Sequence, residues 1–211
     1  MLVEGDRPLR SDAAKNRERL LRAAGQVFEA QGLEASVADV ARAAGVGMGT
    51  LYRRFPSKDA LIDALVTGVL EATVAMAEEA AEQPDGLGLE KFLAASASYE
   101  AEHVGCLPKV WCNDHELIHV ARRLIARLLA DAKVHHRVRE DLTTTDITLA
   151  KWSIRGVLET AGGTNPQIWQ RHLDLLIAGM RPAGDKLPHR PVSQAQVDRI
   201  RYSSQADPCV S

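Results

Sequence analysis

Two short helices and the turn between them are written into Ser36-Val37-Ala38-Asp39-Val40-Ala41-Arg42-Ala43-Ala44-Gly45-Val46-Gly47-Met48-Gly49-Thr50-Leu51-Tyr52-Arg53-Arg54-Phe55, with Pro56 as the stop. Ser36 can accept from a free backbone N–H at a helix start, and Asp39, three residues on, can answer it, as in a capping box. Val37, Val40, Ala41 and Ala44 then share one inward face at helical spacing. Gly45-Val46-Gly47 interrupts them: glycine tolerates the positive φ of a tight turn, and Val46 can tuck between the two helices. The helix resumes at Met48, with Leu51 and Phe55 four apart on the buried side.

Upstream, a helix beginning near Ser11 or Asp12 carries Leu20, Leu21, Ala24, Val27 and Phe28 on one face and arginines on the other, and ends at Gly32, which suits a left-handed cap. Downstream, Ser57 caps a long helix whose apolar stripe runs through Leu61, Ile62, Leu65, Val66, Val69, Leu70 and Met76. A Pro/Gly loop spans 83–88. Further helices are expected at about 89–103, 114–133, 143–161 and 166–180, with an irregular segment around 105–113. No alternating strand or Asn-Gly hairpin interrupts this pattern, so the expected fold class is all-α. Three helices form an N-terminal unit, 10–56, with the helix-turn-helix at about 36–55, joined to a larger helical body, 57–181. Pro182, Pro188, Pro191 and Pro208 punctuate a polar stretch with little periodicity, read as a flexible tail over 182–211.

Composition narrows the function. The chain has 211 residues, 45% apolar and 26% charged, with a formal net charge of −2, which describes a compact folded protein rather than a disordered or collagen-like one. The N-terminus lacks the apolar core of a secretory signal, and no eighteen-residue stretch is free of charge, so a cytoplasmic protein without a membrane partner is expected. The three cysteines, Cys106, Cys112 and Cys209, lack repeated CxxC spacing and read as reduced thiols. Charge is unevenly distributed: residues 1–60 hold ten Lys/Arg against eight Asp/Glu, leaving the remainder acidic. Arg7, Arg10, Lys15, Arg17, Arg19 and Arg22 are opposed locally only by Asp12 and Glu18.

A glycine-containing turn between two short helices can set the second helix into a DNA major groove. Its outward residues are Met48, Gly49, Thr50, Tyr52, Arg53 and Arg54. Either arginine suits bidentate contact with guanine, while Thr50, Tyr52 and Lys58 are candidate phosphate contacts and the backbone at Met48 and Gly49 favours an anion. Ser36, Val37 and Gly47 complete the candidate DNA-binding set.

These residues resemble a known family. Leu20-Leu21-Arg22-Ala23-Ala24, Phe28, Gly32 and the run from Val40 to Leu61 are similar, in order and spacing, to the N-terminal domain of the TetR family of transcriptional regulators. The resemblance implies three N-terminal helices, with 48–55 as the recognition helix, and places Thr50, Tyr52, Arg53, Arg54 and Lys58 where the family touches DNA. Gly47 departs from the serine frequent there, and Met48 from a usually polar residue. Arg139-Glu140-Asp141-Leu142-Thr143, Asp146-Ile147 and the helix holding Trp169, Leu173 and Leu176 are similar to the family's final helices, which pair with their mates as a four-helix dimer bundle. The resemblance further implies release from DNA when a small molecule enters the helical body, with the helix from Ser57 to Ala80 able to transmit the change.

Independently, the helix 166–180 is apolar on more than one side and needs a second cover. Ile154, Leu158, Trp169, Leu173, Leu176 and Met180 are the candidate dimer interface. Phe92, Tyr99, Trp111, His115, His119, Trp152, Arg155 and Glu159 mix aromatic walls with polar handles, as an effector pocket does. Cys106, Cys112, His115 and His119, with His103 upstream, could bind a soft metal or form a redox pair, but their spacing matches no established metal motif, and no metal or cofactor is expected. HExxH, nucleophile-elbow, P-loop and dinucleotide motifs are absent, so no catalytic residue is assigned. The expected protein is a homodimeric, small-molecule-responsive repressor of a palindromic double-stranded operator. The alternatives are a helical ligand-binding or scaffold protein without DNA binding and, less favoured, a metal-dependent enzyme.

Overall fold

A computed structural model describes residues 7–103, 116–182 and 185–206, with side chains from residue 16 to residue 200. Regular structure among these residues is helical throughout: α1 (Arg7–Gln31), α2 (Val37–Ala44), α3 (Met48–Arg54), α4 (Lys58–Ala81), α5 (Gly88–Glu102), α6 (Glu116–Val134), α7 (Thr144–Ala161), α8 (Ile168–Met180) and α9 (Gln194–Ala206). Two compact units divide the chain within α4, between Thr67 and Gly68. By length and composition α4 could cross a bilayer, yet Leu61 and Leu65 feed one core and Ala77 and Ala80 the other.

In the first unit the sequence pattern is realised closely. Leu20, Ala24, Val27 and Phe28 of α1 meet Val40, Ala41 and Ala44 of α2, Leu51 of α3, and Leu61 and Leu65 of α4 in one apolar core. Residue 7 starts α1 earlier than expected. Pro8 permits this, since a first-turn residue has no intrahelical use for its missing N–H.

The second unit gathers the rest of α4 with α5 to α8 around Leu89, Phe92, Leu93, Leu128, Leu129, Ile147, Ile154, Leu158 and Leu173. A capping box opens α7, with Thr143 Oγ1 accepting from Asp146 N and the Asp146 carboxylate accepting from Thr143 N at 2.8 Å. The α4–α5 loop turns through Asp85 (φ 57°) and Gly86 (φ 72°), and Arg137 Nε donates to Asp85 O at 2.9 Å.

Within the stretch 182–211, the described residues include a clasp and a helix. Arg139 Nε and Nη2 donate to the two Asp141 oxygens at 2.5 and 3.1 Å, and Nη2 also reaches Asp185 O at 2.7 Å. Leu187 N donates to Asp141 Oδ2 at 2.7 Å. Beyond this clasp, α9 buries Val197 fully, and Arg122 of α6 pairs with Asp198. Polar composition concealed a helix anchored by Val197.

Candidate nucleic-acid interface and interior polar cluster

The turn that presents α3 is held by local hydrogen bonds. Ser36 Oγ accepts from Asp39 N at 3.2 Å, and the Asp39 carboxylate accepts from Ser36 N at 3.3 Å, completing the box at the start of α2. The Ser36 hydroxyl, then the Arg42 guanidinium at 2.7 Å, hold the Asp39 carboxyl below its ordinary pKa. At the other end Gly45 adopts φ 65°, ψ 34°, while Gly45 N and Val46 N donate to Arg42 O and Ala41 O at 3.1 and 3.0 Å. Such bonds satisfy carbonyls that the helix end leaves open. Gly47 caps α3 without a side-chain bond, as expected for glycine in place of serine.

Leu51 and Phe55 are buried, fixing the roll of α3 about its axis. Met48 and Tyr52, 38% and 47% exposed, stand outward with Gly47, Gly49, Arg53 and Arg54. Arg53 and Arg54 have no ion-pair partner among the described residues, in contrast to Arg22 with Glu18 and Arg42 with Asp39. Thr50 and Lys58 are half-buried beside this face; Ser36 is exposed, and half-buried Val37 packs against the core. The cationic face extends into α1, where the Arg17 guanidinium lies 6.0 Å from the centre of the Phe55 ring.

The expected effector residues separate into groups. Phe92 is wholly buried in the core of the second unit, with Lys151 Nζ 5.2 Å from its ring centre. Tyr99 is half-buried and stacks on His103 at 4.1 Å; burial raises its hydroxyl pKa. On α7, Trp152 is half-buried and Arg155 Nε donates to Glu159 at 2.8 Å. His119 is exposed on α6. Trp111 and His115, like Cys106, Cys112 and Cys209, lie outside the described residues. No group of three or more His, Cys, Asp or Glu placed to hold a metal occurs among the described residues.

Ser96, Glu100 and Lys151 escaped the sequence reading. Ser96 and Glu100 lie one turn apart on α5, Ser96 being 2% exposed, and Ser96 Oγ and Glu100 Oε2 are enclosed without a hydrogen-bond partner among the described residues. Desolvation raises the Glu100 pKa, opposed by Lys151 and Arg155 and reinforced by Glu159. A polar pair inside the apolar stripe Leu89, Phe92, Leu93 was the available signal, together with the i, i+4, i+8 spacing of Lys151, Arg155 and Glu159.

The residues expected at a dimer interface divide between enclosed and half-buried positions. Ile154, Leu158, Leu173 and Met180 are buried in this chain's own core, and Trp169 and Leu176 pack against it. They join α7 and α8 within one chain, where Ser153 Oγ and His172 Nε2 also lie 3.0 Å apart. Periodicity identified buried positions without distinguishing an internal neighbour from a second copy. The outward large apolar residue on α8 is Leu175, 56% exposed.

A short helix locked by Leu51 and Phe55 behind a glycine turn, with arginines turned outward, defines a helix-turn-helix DNA-binding domain. Residues 20–65 match the model of the bacterial regulatory proteins of the tetR family. An HTH-type transcriptional regulator of Staphylococcus aureus (strain USA300) is 43% identical over 54 residues, 25% of this chain. That match spans 29% of the relative's length. The TetR transcriptional regulator SCO0520 from Streptomyces coelicolor is similar in structure, with a TM-score of 0.56 and 28% identity over 80% of this chain and 99% of its own. A TetR transcription regulatory protein from Mycobacterium vanbaalenii is similar at a TM-score of 0.54, with 29% identity over 82% of this chain and 99% of its own.

Proposed function

We propose that the protein is a cytoplasmic, homodimeric transcriptional repressor that binds a palindromic DNA operator and is released by a small organic molecule. The observation that carries the DNA-binding role is the outward face of α3, where Tyr52, Arg53 and Arg54 stand exposed around buried Leu51. Arg53 and Arg54 read guanine edges; Thr50, Tyr52 and Lys58 contact phosphates, with Ser36, Val37, Gly47, Met48 and Gly49 framing the approach. Two copies present two recognition helices to half-sites about 34–36 Å apart, or a multiple of that repeat.

Dimerisation uses the outer faces of α7 and α8, centred on Leu175, in place of the residues buried in the chain's own core. The effector is taken up in the second unit. Being continuous through both units, α4 carries the response. Release requires that the effector bind the DNA-free conformation more tightly than the DNA-bound one.

A gel shift against DNA flanking the protein's own gene, at two salt concentrations, tests the reading. A shift that weakens steeply with salt and disappears in the Arg53→Ala/Arg54→Ala protein is expected, because displaced counterions drive phosphate binding. A salt-independent shift, or one unchanged in the double variant, would overturn the assignment to α3. Failure to select any sequence from a genome-wide DNA pool would favour the scaffold alternative.

A further inference from the structure

Ser96 and Glu100 sit where an all-helical core ordinarily places leucine or alanine. Both lie on the face of α5 that carries Phe92, and Phe92 and Ser96 are almost wholly enclosed. An enclosed hydroxyl and carboxylate oxygen without partners among the described residues are an uncommon pair, since buried polar atoms are nearly always satisfied. Across from them, α7 supplies Lys151, Arg155 and Glu159 at successive turns. Arg155 is already engaged by Glu159 at 2.8 Å, and Lys151 lies over the Phe92 ring.

The charges decide which chemistry fits. Among the described residues, Glu100 and Glu159 balance Lys151 and Arg155 here, so an ammonium ligand would add a further positive charge to an enclosed region. A carboxylate ligand would approach the Glu100 oxygen directly and be repelled. A neutral hydroxyl can donate to Glu100 Oε2 and accept from Ser96 Oγ at once, satisfying both atoms without altering the charge. Phe92 and Leu93 offer apolar contact to whatever skeleton carries that hydroxyl.

We propose that Ser96 and Glu100 are the recognition pair for the effector, and that the effector is a small neutral organic molecule with a hydroxyl donor on an apolar, ring-sized skeleton. This rests on the reading of the second unit as effector-binding. It adds the ligand's charge state and the two residues that select it.

Benzyl alcohol, benzylamine and benzoate share a ring and differ in charge, so they serve as probes of the full-length protein, with binding followed by ligand-observed NMR. The alcohol is expected to bind in preference to the other two, and Ser96→Ala and Glu100→Leu are each expected to weaken it about tenfold. Both variants are also expected to melt at or above the wild-type temperature, because each removes an unsatisfied enclosed polar atom. Loss of alcohol binding with unimpaired stability separates recognition from a merely structural role. Glu100→Gln, which keeps an acceptor, is expected to retain binding and guards against a folding artefact.

Preference for the amine or the carboxylate, alcohol binding unchanged in Ser96→Ala and Glu100→Leu, or no binding of the alcohol would each overturn the proposal. A gel shift in parallel keeps the two readings apart. Failure of the probes in a protein that still binds DNA refutes the recognition pair alone, whereas loss of DNA binding with the alcohol preference intact refutes the repressor and leaves the pair standing.

Discussion

Gly45 and Gly47 flank one turn and do opposite things. Gly45 takes φ 65°, with nothing within 4 Å of an added Cβ, so Gly45→Ala meets conformational strain without a clash. We expect it to cost about 1 kcal/mol in denaturant unfolding and to weaken DNA binding by tilting α3. Gly47 has φ −75°, ψ 151°, open space around it and no side-chain cap, so Gly47→Ser is expected to stabilise by a few tenths of a kcal/mol, roughly 0.3, in the same measurement. Both roles follow from local chemistry, which is why the turn, the Ser36–Asp39 box and the outward arginines were legible in the sequence. Ser96 and Glu100 were marked only by their place in the apolar stripe of α5, because a serine and a glutamate at helical spacing do not themselves tell whether their face meets solvent or a core. Glu100 also predicts a pH effect. Its pKa is raised by burial, so the folded state holds this proton more tightly than the unfolded chain does. Stability should therefore fall as pH rises from the ordinary value of 4.5 through the folded one, and Glu100→Leu should flatten that slope in thermal melts.

At the level of elements, the Arg139–Asp141 clasp decides what becomes of the chain after α8. Hydrogen bonds from Arg139 and then from the Leu187 backbone lower the Asp141 pKa from 3.8 to about 2. A depressed carboxyl contributes stability that is complete above the unfolded value and lost as pH falls through the folded one. Hydrogen exchange at Leu187 should thus be slow at neutral pH and accelerate between about pH 4 and pH 2. Asp141→Asn should make it fast at neutral pH while leaving α1 to α3 unaffected, and a change confined to α3 would contradict this assignment. Helix α9 shows the limit of pattern reading at this scale. Among the described residues its buried apolar anchor is Val197, and its ionic anchor pairs residues 76 positions apart, so neither periodicity nor local spacing announced it.

For the whole molecule, the proposed dimer brings Leu175 out of solvent. Leu175→Glu is expected to shift the protein from dimer to monomer in sedimentation and to reduce operator affinity with α3 intact, since one half-site then binds without the other. A dimer undisturbed by this change would place the interface elsewhere. The first unit was readable almost in full, from the stripe of α1 to the exposed tip of α3, because residues 16–65 form a small core whose contacts lie between neighbouring helices and whose caps are set three or four residues apart. In the second unit, helix positions were readable and helix partners were not. The apolar faces of α7 and α8 announce burial, but whether Ile154, Leu158, Leu173 and Met180 meet their own chain or a second copy depends on how distant helices pack. Local chain chemistry determined the helices, their caps and the reading tip; the core allegiance of α8, the clasp on 185–187, the docking of α9 and the enclosure of Ser96 and Glu100 were decided by tertiary packing, because burial belongs to the assembled neighbours and not to the residue.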